Sequence, residues 1–182
     1  ASQGNAMLDI FSAAAQIPGT GLSAGAKAAI WGYSQGGQSA AWAGERKSAY
    51  APNLNLVGVA AGGVPADFLR TAAYLDGSAG ESFLLEAVVG LAAQYPTQIP
   101  LSTLTNANGQ AAIAKGKSEC VFDALFEFMN HKISEYTVNN QPLDQLMAIP
   151  SVNQVLKAQA LGSTKIPVPL YQYHGTDRKS VV

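Results

Sequence analysis

The sequence predicts an α/β fold built on a mainly parallel sheet, with a helical insertion before the last strand. Two observations lead to this prediction. Short apolar runs bounded by glycine alternate with helical patterns up to about residue 66. An all-helical stretch then extends to about residue 160 and precedes a final apolar run. Alternating strands and helices favour a parallel sheet covered by helices on both faces.

The elements of the first segment follow from apolar spacing and from their boundaries. Apolar residues at helical spacing end at Pro18-Gly19, and two apolar runs are closed by glycine, as expected for buried strands. A proline at position 65 suits the first turn of the next helix. The predicted elements are a helix over residues 4–16, a strand over 28–32, a helix over 38–47 and a strand over 54–61.

The insertion contains helical patterns separated by turns and no convincing strand. A final apolar run over residues 168–173 suits a strand, although Pro169 weakens a central position in the sheet. We therefore expect a core over residues 1–66, a cap over 67–160 and a return to the core over 161–182. The helices predicted in the cap cover residues 68–74, 82–93, 109–114, 119–130 and 152–161.

Composition and charge exclude several classes of protein. The chain of 182 residues has 11 Lys+Arg against 12 Asp+Glu, so a basic nucleic-acid-binding face is not expected. With 48% hydrophobic and 13% charged residues, it can bury a sizeable core. The apolar runs fall short of the roughly 20 residues that a membrane span needs. No His, Cys, Asp or Glu cluster has metal-ligand spacing, and we expect neither a metal nor a cofactor.

One sequence motif indicates a catalytic function. Gly32-Tyr33-Ser34-Gln35-Gly36 matches the G-x-S-x-G pattern of a nucleophile elbow, in which a serine lies on a sharp turn between a strand and a helix. The flanking glycines leave room for the chain to double back, and Gly37 would let a substrate approach the helix start. The second match, centred on Ser23, has a loop before it and a strand after it. Context therefore selects Ser34 as the nucleophile.

A serine nucleophile needs a histidine base and an acid that orients it. His131 lies in the insertion, where a surface or helix-end role is the competing interpretation. His174 follows the last strand, where it can simply fix a turn. Asp177 follows the same strand and is our candidate acid, but no histidine comes after it in the expected order of serine, acid and histidine.

A single cysteine, Cys120, cannot form a disulfide within the chain. It begins an apolar stretch with helical spacing, so a plain buried thiol is one interpretation. The alternative is a partner outside this chain.

The charged run Glu45-Arg46-Lys47 is interpreted as a solvated helix face.

Several linked motifs follow one another through most of residues 5–176. They are Gly32-Tyr33-Ser34-Gln35-Gly36-Gly37, Tyr50-Ala51-Pro52, Ala61-Gly62-Gly63-Val64-Pro65-Ala66-Asp67, Tyr74-Leu75-Asp76-Gly77 and Tyr173-His174-Gly175-Thr176. Together they resemble the secretory lipase family of bacteria and yeasts. The resemblance implies an α/β-hydrolase fold with a helical lid, and a secreted enzyme that cleaves lipid esters without a metal or cofactor. Ser34 matches the family's nucleophile, and the backbone N–H of Gln35 matches one oxyanion donor.

The closing loop departs from the family pattern. Asp177 stands one place early, and Arg178 occupies the position of the family's catalytic aspartate. By the resemblance, the catalytic histidine would lie beyond Val182 and the second oxyanion donor upstream of Ala1. We therefore expect the chain to be an internal piece of such a lipase, inactive by itself. An external cysteine of the same protein would then be a candidate partner for Cys120.

Two functions remain open at this point. In the first, a lipase or esterase forms an acyl-enzyme on Ser34 and makes transient contact with a lipid interface. In the second, a hydrolase-like domain binds an apolar ligand or a partner without catalysis. The apolar helical residues of the insertion would cap an acyl-binding pocket, or they form only the packed interior of the cap. They are Phe83, Leu84, Leu85, Val88, Val89, Phe122, Leu125 and Phe126.

Overall fold

The computed structural model describes residues 1–175, which form three strands and a series of helices. In chain order these are α1 (Ser2–Ala15), β1 (Ala28–Tyr33), α2 (Gln35–Tyr50), β2 (Leu56–Gly62), α3 (Phe68–Leu75), α4 (Glu81–Gln94), α5 (Leu101–Leu104), α6 (Ala107–Gly116), α7 (Val121–Phe128), two 3-10 helices (Ile133–Tyr136 and Val138–Asn140), α8 (Leu143–Ala148), α9 (Pro150–Ala158) and β3 (Leu170–Tyr173).

The chain divides into two compact units. The first, which we call the sheet unit, consists of Ala1–Asp67 and the chain from Gln159 onward. The second, the helical unit, is Phe68–Ala158. Within residues 1–175, no helix is both long and apolar enough to cross a bilayer.

The sheet is parallel, with strand order β1-β2-β3. Ile30 pairs with Val59, and Gly62 pairs with Tyr173. Pro169 precedes β3 at the edge of the three strands, and its carbonyl accepts a hydrogen bond of 3.0 Å from the Val59 N–H. The edge position agrees with the weakening effect predicted for this proline, which lacks an N–H group to donate.

The alternation of elements predicted helices on both faces of the sheet, but the two described helices of the sheet unit, α1 and α2, pack on one face. The buried core joins α1, α2 and one face of the strands, through residues such as Leu8, Ile30 and Val59. On the opposite face Trp31 is 74% exposed and Tyr171 is 68% exposed. The sequence suggested strands buried on both faces because β1 and β2 are apolar throughout, but both described helices of this unit pack on one side.

Small residues in β2 let aromatic side chains meet across the exposed face. The Trp31 Nε1–H donates a hydrogen bond of 2.6 Å to the Tyr173 hydroxyl, although these residues lie on the two outer strands. The rings of Tyr33 and Tyr173 stack with centroids 6.1 Å apart. A Cβ on Gly62 would lie 2.2 Å from the Tyr173 ring, so a larger residue there would force this ring to move.

Two expectations for the sheet unit fail because of contacts between distant residues. Pro65 does not begin a helix, and α3 starts only at Phe68; the Pro65 carbonyl instead accepts a hydrogen bond of 2.9 Å from the Gln38 side chain. Glu45 is buried and not solvated, because its Oε1 accepts a hydrogen bond of 2.6 Å from the Gly162 N–H.

The helical unit packs around two apolar clusters. One is centred on α9 with Ala92 and Ile99, and the other joins α3, α4 and α8 through Ala72, Leu84 and Leu143. Cys120 belongs to neither cluster: it is exposed and occupies the N-cap position of α7, without a capping hydrogen bond from its side chain. The buried-thiol interpretation is therefore wrong, because the helical spacing that suggested burial begins only at Val121.

Candidate active site

Ser34 lies at the corner between β1 and α2, with φ 56° and ψ −122°. The other described non-glycine residues with positive φ are asparagines, which tolerate the left-handed helical region. Ser34 lies outside that region, and strain of this kind persists only when the surrounding structure enforces it. Its N–H donates a hydrogen bond of 2.9 Å to the Gly62 carbonyl, and its carbonyl accepts one of 2.9 Å from the Gln38 N–H.

The glycines around Ser34 have different roles. A Cβ on Gly32 would lie 2.0 Å from the Gly36 carbonyl oxygen, and a Cβ on Gly37 would lie 2.4 Å from the Gly62 carbonyl oxygen. A Cβ on Gly36 would meet nothing within 4 Å. Gly37 thus permits close packing of α2 on β2, which corrects the expectation that it makes room for a substrate.

The start of α2 supplies electrostatic stabilisation next to Ser34. The first N–H groups of any helix lack intrahelical partners and carry a partial positive charge. Gln35 is the first residue of this helix, so its backbone N–H belongs to that set. An anion that develops beside the Ser34 hydroxyl would find such donors already oriented.

Gln38 supports the corner and was not predicted from the sequence. Its side chain is buried, donates a hydrogen bond of 2.9 Å to the Pro65 carbonyl and accepts one of 2.7 Å from the Gln3 side chain. It therefore ties α1, the first turn of α2 and the segment after β2 together. The only signal in the sequence was a polar residue among small apolar ones on a helix.

Ser23 occupies an exposed turn between α1 and β1. Its carbonyl accepts a hydrogen bond of 3.0 Å from the Ala26 N–H, and it does not have a positive φ. No helix follows it. The second G-x-S-x-G match therefore has none of the geometry of an elbow, as its context predicted.

The two histidines have local partners. His131 is in the helical unit, where its Nδ1 lies 2.7 Å from the Glu135 Oε2. This hydrogen bond, with a second from the Lys132 N–H, holds the pKa of the Glu135 carboxyl below its ordinary value. The His174 Nδ1 lies 2.7 Å from the Gly175 carbonyl oxygen, so this ring makes a contact within the turn after β3. Asp177 lies outside the described residues.

The helical unit contains an apolar cavity of about 340 Å³, which we call the cap cavity. Its wall includes Leu84, Leu85, Val88 and Val89 of α4. This agrees with the interpretation that these residues cap a pocket, and not with the one in which they form only the packed interior of the cap. Phe122 and Phe126 do not line it and are instead 68% and 74% exposed on α7. The volume lies within the range of about 300–1,000 Å³ that is typical of small-molecule sites.

A family model for secretory lipases matches residues 1–181. The chain belongs to the secretory lipase family. Lipase 10 of Candida albicans is 31% identical over 95% of this chain and 39% of its own length. The secreted triacylglycerol lipase LIP1 of Malassezia furfur is 27% identical, and a probable inactive lipase of Mycobacterium tuberculosis, MT1628, is 28% identical. They match over 94% and 91% of this chain, and over 36% and 37% of their own lengths.

Solved structures establish the fold of this member of the secretory lipase family. Candida antarctica lipase A superposes with a TM-score of 0.81 at 24% identity, over 94% of this chain and 41% of that one. The rice cell wall degrading esterase LipA of Xanthomonas oryzae superposes with a TM-score of 0.67 at 19% identity, over 91% and 46%. The chain thus has part of an α/β-hydrolase fold. It spans about two fifths of the length of the relatives it matches.

Proposed function

We propose that this chain carries the nucleophile and the helical cap of a secreted lipase or esterase that hydrolyses carboxylic esters of triacylglycerol type. The observation that supports this proposal most is the backbone of Ser34, held at φ 56° between β1 and α2. Such strain has a functional use, because it presents a hydroxyl beside the N-terminus of a helix. Membership of the secretory lipase family supports the substrate class and the extracellular location.

The proposed reaction has two steps. The Ser34 oxygen attacks the ester carbonyl while its proton passes to a histidine base, and collapse of the tetrahedral intermediate releases the alcohol and leaves an acyl-enzyme. Water then attacks the acyl-enzyme and releases the fatty acid. The backbone N–H of Gln35 stabilises the negative oxygen in both steps, an effect typically worth about 10²–10³ in rate for one donor. No step requires a metal or cofactor.

We propose that the base is a histidine of the same protein that is not among these 182 residues. The expected chain order of serine, acid and histidine supports this assignment, because no histidine follows Asp177 among the 182 residues. Asp177 remains our proposal for the acid that orients the base. On this proposal the 182-residue chain by itself turns over esters slowly or not at all.

Replacement of Ser34 by alanine tests the nucleophile directly. In the full-length protein, a fluorophosphonate probe is expected to label the wild type, and Ser34→Ala should remove the label because, among residues 1–175, no other serine has the backbone angles of an elbow. The matched control is Ser23→Ala, which changes the second G-x-S-x-G match and should leave labelling unchanged. In-gel fluorescence and mass spectrometry of the labelled peptide provide the measurement. A label that survives in Ser34→Ala contradicts the proposal.

One observation favours the non-catalytic alternative: a matching relative is named a probable inactive lipase. In this alternative the domain binds an apolar ligand or partner, and the elbow is a remnant. The same probe discriminates between the two, since a folded full-length wild type that takes no label supports the binding domain. Rapid ester hydrolysis by the 182-residue chain, lost on His174→Ala, would show that the base is misassigned here.

The exposed face of α7 supports transient contact with a lipid surface. Phe122 and Phe126 lie one turn apart and point outward, while Ala124 and Phe128 on the same helix are buried. Burial of each phenylalanine side chain in an acyl layer would contribute about 1.5–3 kcal/mol. We therefore assign this face to contact with a neutral ester interface.

Replacing both phenylalanines tests this assignment. Phe122→Ser with Phe126→Ser is expected to reduce partitioning of the full-length protein onto a triacylglycerol emulsion coated with phosphatidylcholine by about tenfold or more. The control pair is Ile10→Ser with Ile17→Ser, which removes two similarly exposed apolar side chains from the sheet unit. Co-flotation in a sucrose gradient measures bound protein, and equal losses in the two pairs would contradict a specific lipid-contacting face.

A further inference from the structure

The chain after β2 runs beside the first turn of α2, and hydrogen bonds join the two segments near Ser34 and near Gln38. The Ser34 N–H donates to the Gly62 carbonyl at 2.9 Å, and the Gln38 side chain donates to the Pro65 carbonyl at 2.9 Å. Between these bonds, a Cβ on Gly37 would lie 2.4 Å from the Gly62 carbonyl oxygen, so the two backbones approach closely. Gln38 therefore fastens the same segment that holds Ser34.

The amide of Gln38 uses both of its ends. The residue is 7% exposed, and its Oε1 accepts a hydrogen bond of 2.7 Å from the Gln3 Nε2. A carbonyl oxygen can only accept, so the contact with Pro65 requires the NH2 end of the Gln38 amide, and this turns Oε1 toward Gln3. A side chain of the same length without these groups would release both neighbours.

The strain at Ser34 makes the position of the neighbouring segment important for reactivity. Backbone angles as unusual as φ 56° and ψ −122° persist only while the surrounding contacts enforce them. The Gly62 carbonyl is one such contact, and Gln38 fixes the same segment three residues later. Without that anchor the elbow could relax and carry the Ser34 hydroxyl away from its productive position. A displacement of about 1 Å in an active site can cost about a hundredfold in rate.

We propose that Gln38 is a positioning residue for the attack by Ser34. Its side-chain hydrogen bonds hold residues 62–65 against the first turn of α2, and this keeps Ser34 at the backbone angles that present its hydroxyl beside the Gln35 N–H. The inference rests on the proposed function, in which Ser34 is the nucleophile. It extends that function by assigning part of the acylation rate to a side chain outside the set of serine, acid and histidine.

The rate at which a fluorophosphonate probe reacts with the full-length protein tests this role. Gln38→Met keeps the length of the side chain but removes both hydrogen bonds. It should lower the first-order rate of labelling at saturating probe by about tenfold to a hundredfold. The probe concentration that gives half of the maximal rate should not change, because the buried Gln38 side chain acts through Ser34 and not by binding the probe.

Tyr50→Phe is the matched control. It removes the hydrogen bond of 2.9 Å from the Tyr50 hydroxyl to the Asp9 carboxylate, which joins α1 to α2 as the Gln3–Gln38 bond does. Tyr50 is the last residue of α2, at the opposite end of the helix from the elbow. This variant is expected to be labelled at the wild-type rate.

Two further measurements separate positioning from a loss of stability. Gln38→Glu can donate to the Pro65 carbonyl only while its carboxyl is protonated, so its labelling rate relative to the wild type should fall as the pH rises. The phosphorus NMR resonance of the labelled Ser34 should shift in Gln38→Met, because the phosphoryl oxygen depends on donors such as the Gln35 N–H. Lower stability alone leaves the resonance of a folded adduct unchanged.

Several outcomes would overturn the role of Gln38. They are a folded Gln38→Met that is labelled at the wild-type rate, a Tyr50→Phe that is slowed equally, and a rate ratio for Gln38→Glu that does not depend on pH. The test with Gln38→Glu applies even if Gln38→Met does not fold. A wild type that takes no label overturns both this role and the proposed function, whereas a labelled wild type with unaffected Gln38 variants overturns only the role of Gln38.

Discussion

Alanine at Gly32 or Gly37 is expected to lower the free energy of unfolding by about 3 kcal/mol or more, whereas alanine at Gly36 is tolerated. At the first two positions the new Cβ would lie 2.0 Å and 2.4 Å from backbone carbonyl oxygens of Gly36 and Gly62, which have no alternative rotamer. The strand or the helix would have to move. Gly36 faces open space in a helix, where alanine is favoured over glycine by up to about 1 kcal/mol.

Urea unfolding of the three single variants, monitored by circular dichroism, measures the difference. Gly36→Ala serves as the matched control, because it makes the same chemical change within the same motif. Equal destabilisation by all three substitutions would show that the corner responds to any added side chain, and the distinction between the glycines drawn from the structure would be wrong.

A second large effect is expected from Glu81, whose side chain is fully buried at the start of α4. Burial, together with the smaller effect of the negative charges of Asp76 and Glu135, raises the pKa of this carboxyl from 4.5 to about 8. The Gly77 N–H opposes the shift by donating a hydrogen bond of 2.9 Å to Oε2. Its Oε1 has no partner, so the ionised form lacks the hydrogen bonds that it has in water.

The direction of the pH dependence follows from this shift. The folded protein retains a proton that the unfolded chain releases near pH 4.5, so the stabilisation is complete below that pH. It is lost progressively as the pH rises to about 8, where the folded form also ionises. Since each unit of pKa difference corresponds to about 1.4 kcal/mol, we expect the free energy of unfolding of the helical unit to fall over this window by about 5 kcal/mol.

Urea titrations at a series of pH values test this expectation. Glu81→Gln should flatten the dependence, since the amide oxygen can still accept from Gly77 but does not titrate. Glu86→Gln changes an exposed residue of the same helix and should retain most of the slope. A wild-type stability that is flat between pH 5 and 8, or a slope unchanged in Glu81→Gln, would contradict an uncharged buried Glu81.

The predictions that held depended on local pattern. A strand before Ser34 and a helix after it distinguished this serine from Ser23, because an elbow is defined by a few neighbouring residues and their backbone angles. Parallel strands followed in the same way from alternating elements, which limit how the chain returns to the sheet. Pro169 correctly indicated an edge position among the described strands, because its missing N–H is a property of the residue itself.

The predictions that failed depended on what lies opposite a residue in space. The charged run around Glu45 predicts a solvated side chain, but Gly162, far along the chain, packs against it. Trp31 belongs to a strand whose apolar sequence predicts burial on both faces, but both helices of the sheet unit pack on the other face.

The sequence by itself therefore determined the elbow, the order of the strands and of the helices before the insertion, and the family to which the chain belongs. Only the tertiary structure showed that Gly32 and Gly37, but not Gly36, pack against backbone atoms. It alone also showed that the side chains of Glu81 and Ser82 are buried with polar atoms that make no hydrogen bond. Helical spacing and turn residues act over a few positions, whereas burial and hydrogen-bond satisfaction are set by residues brought together from distant parts of the chain.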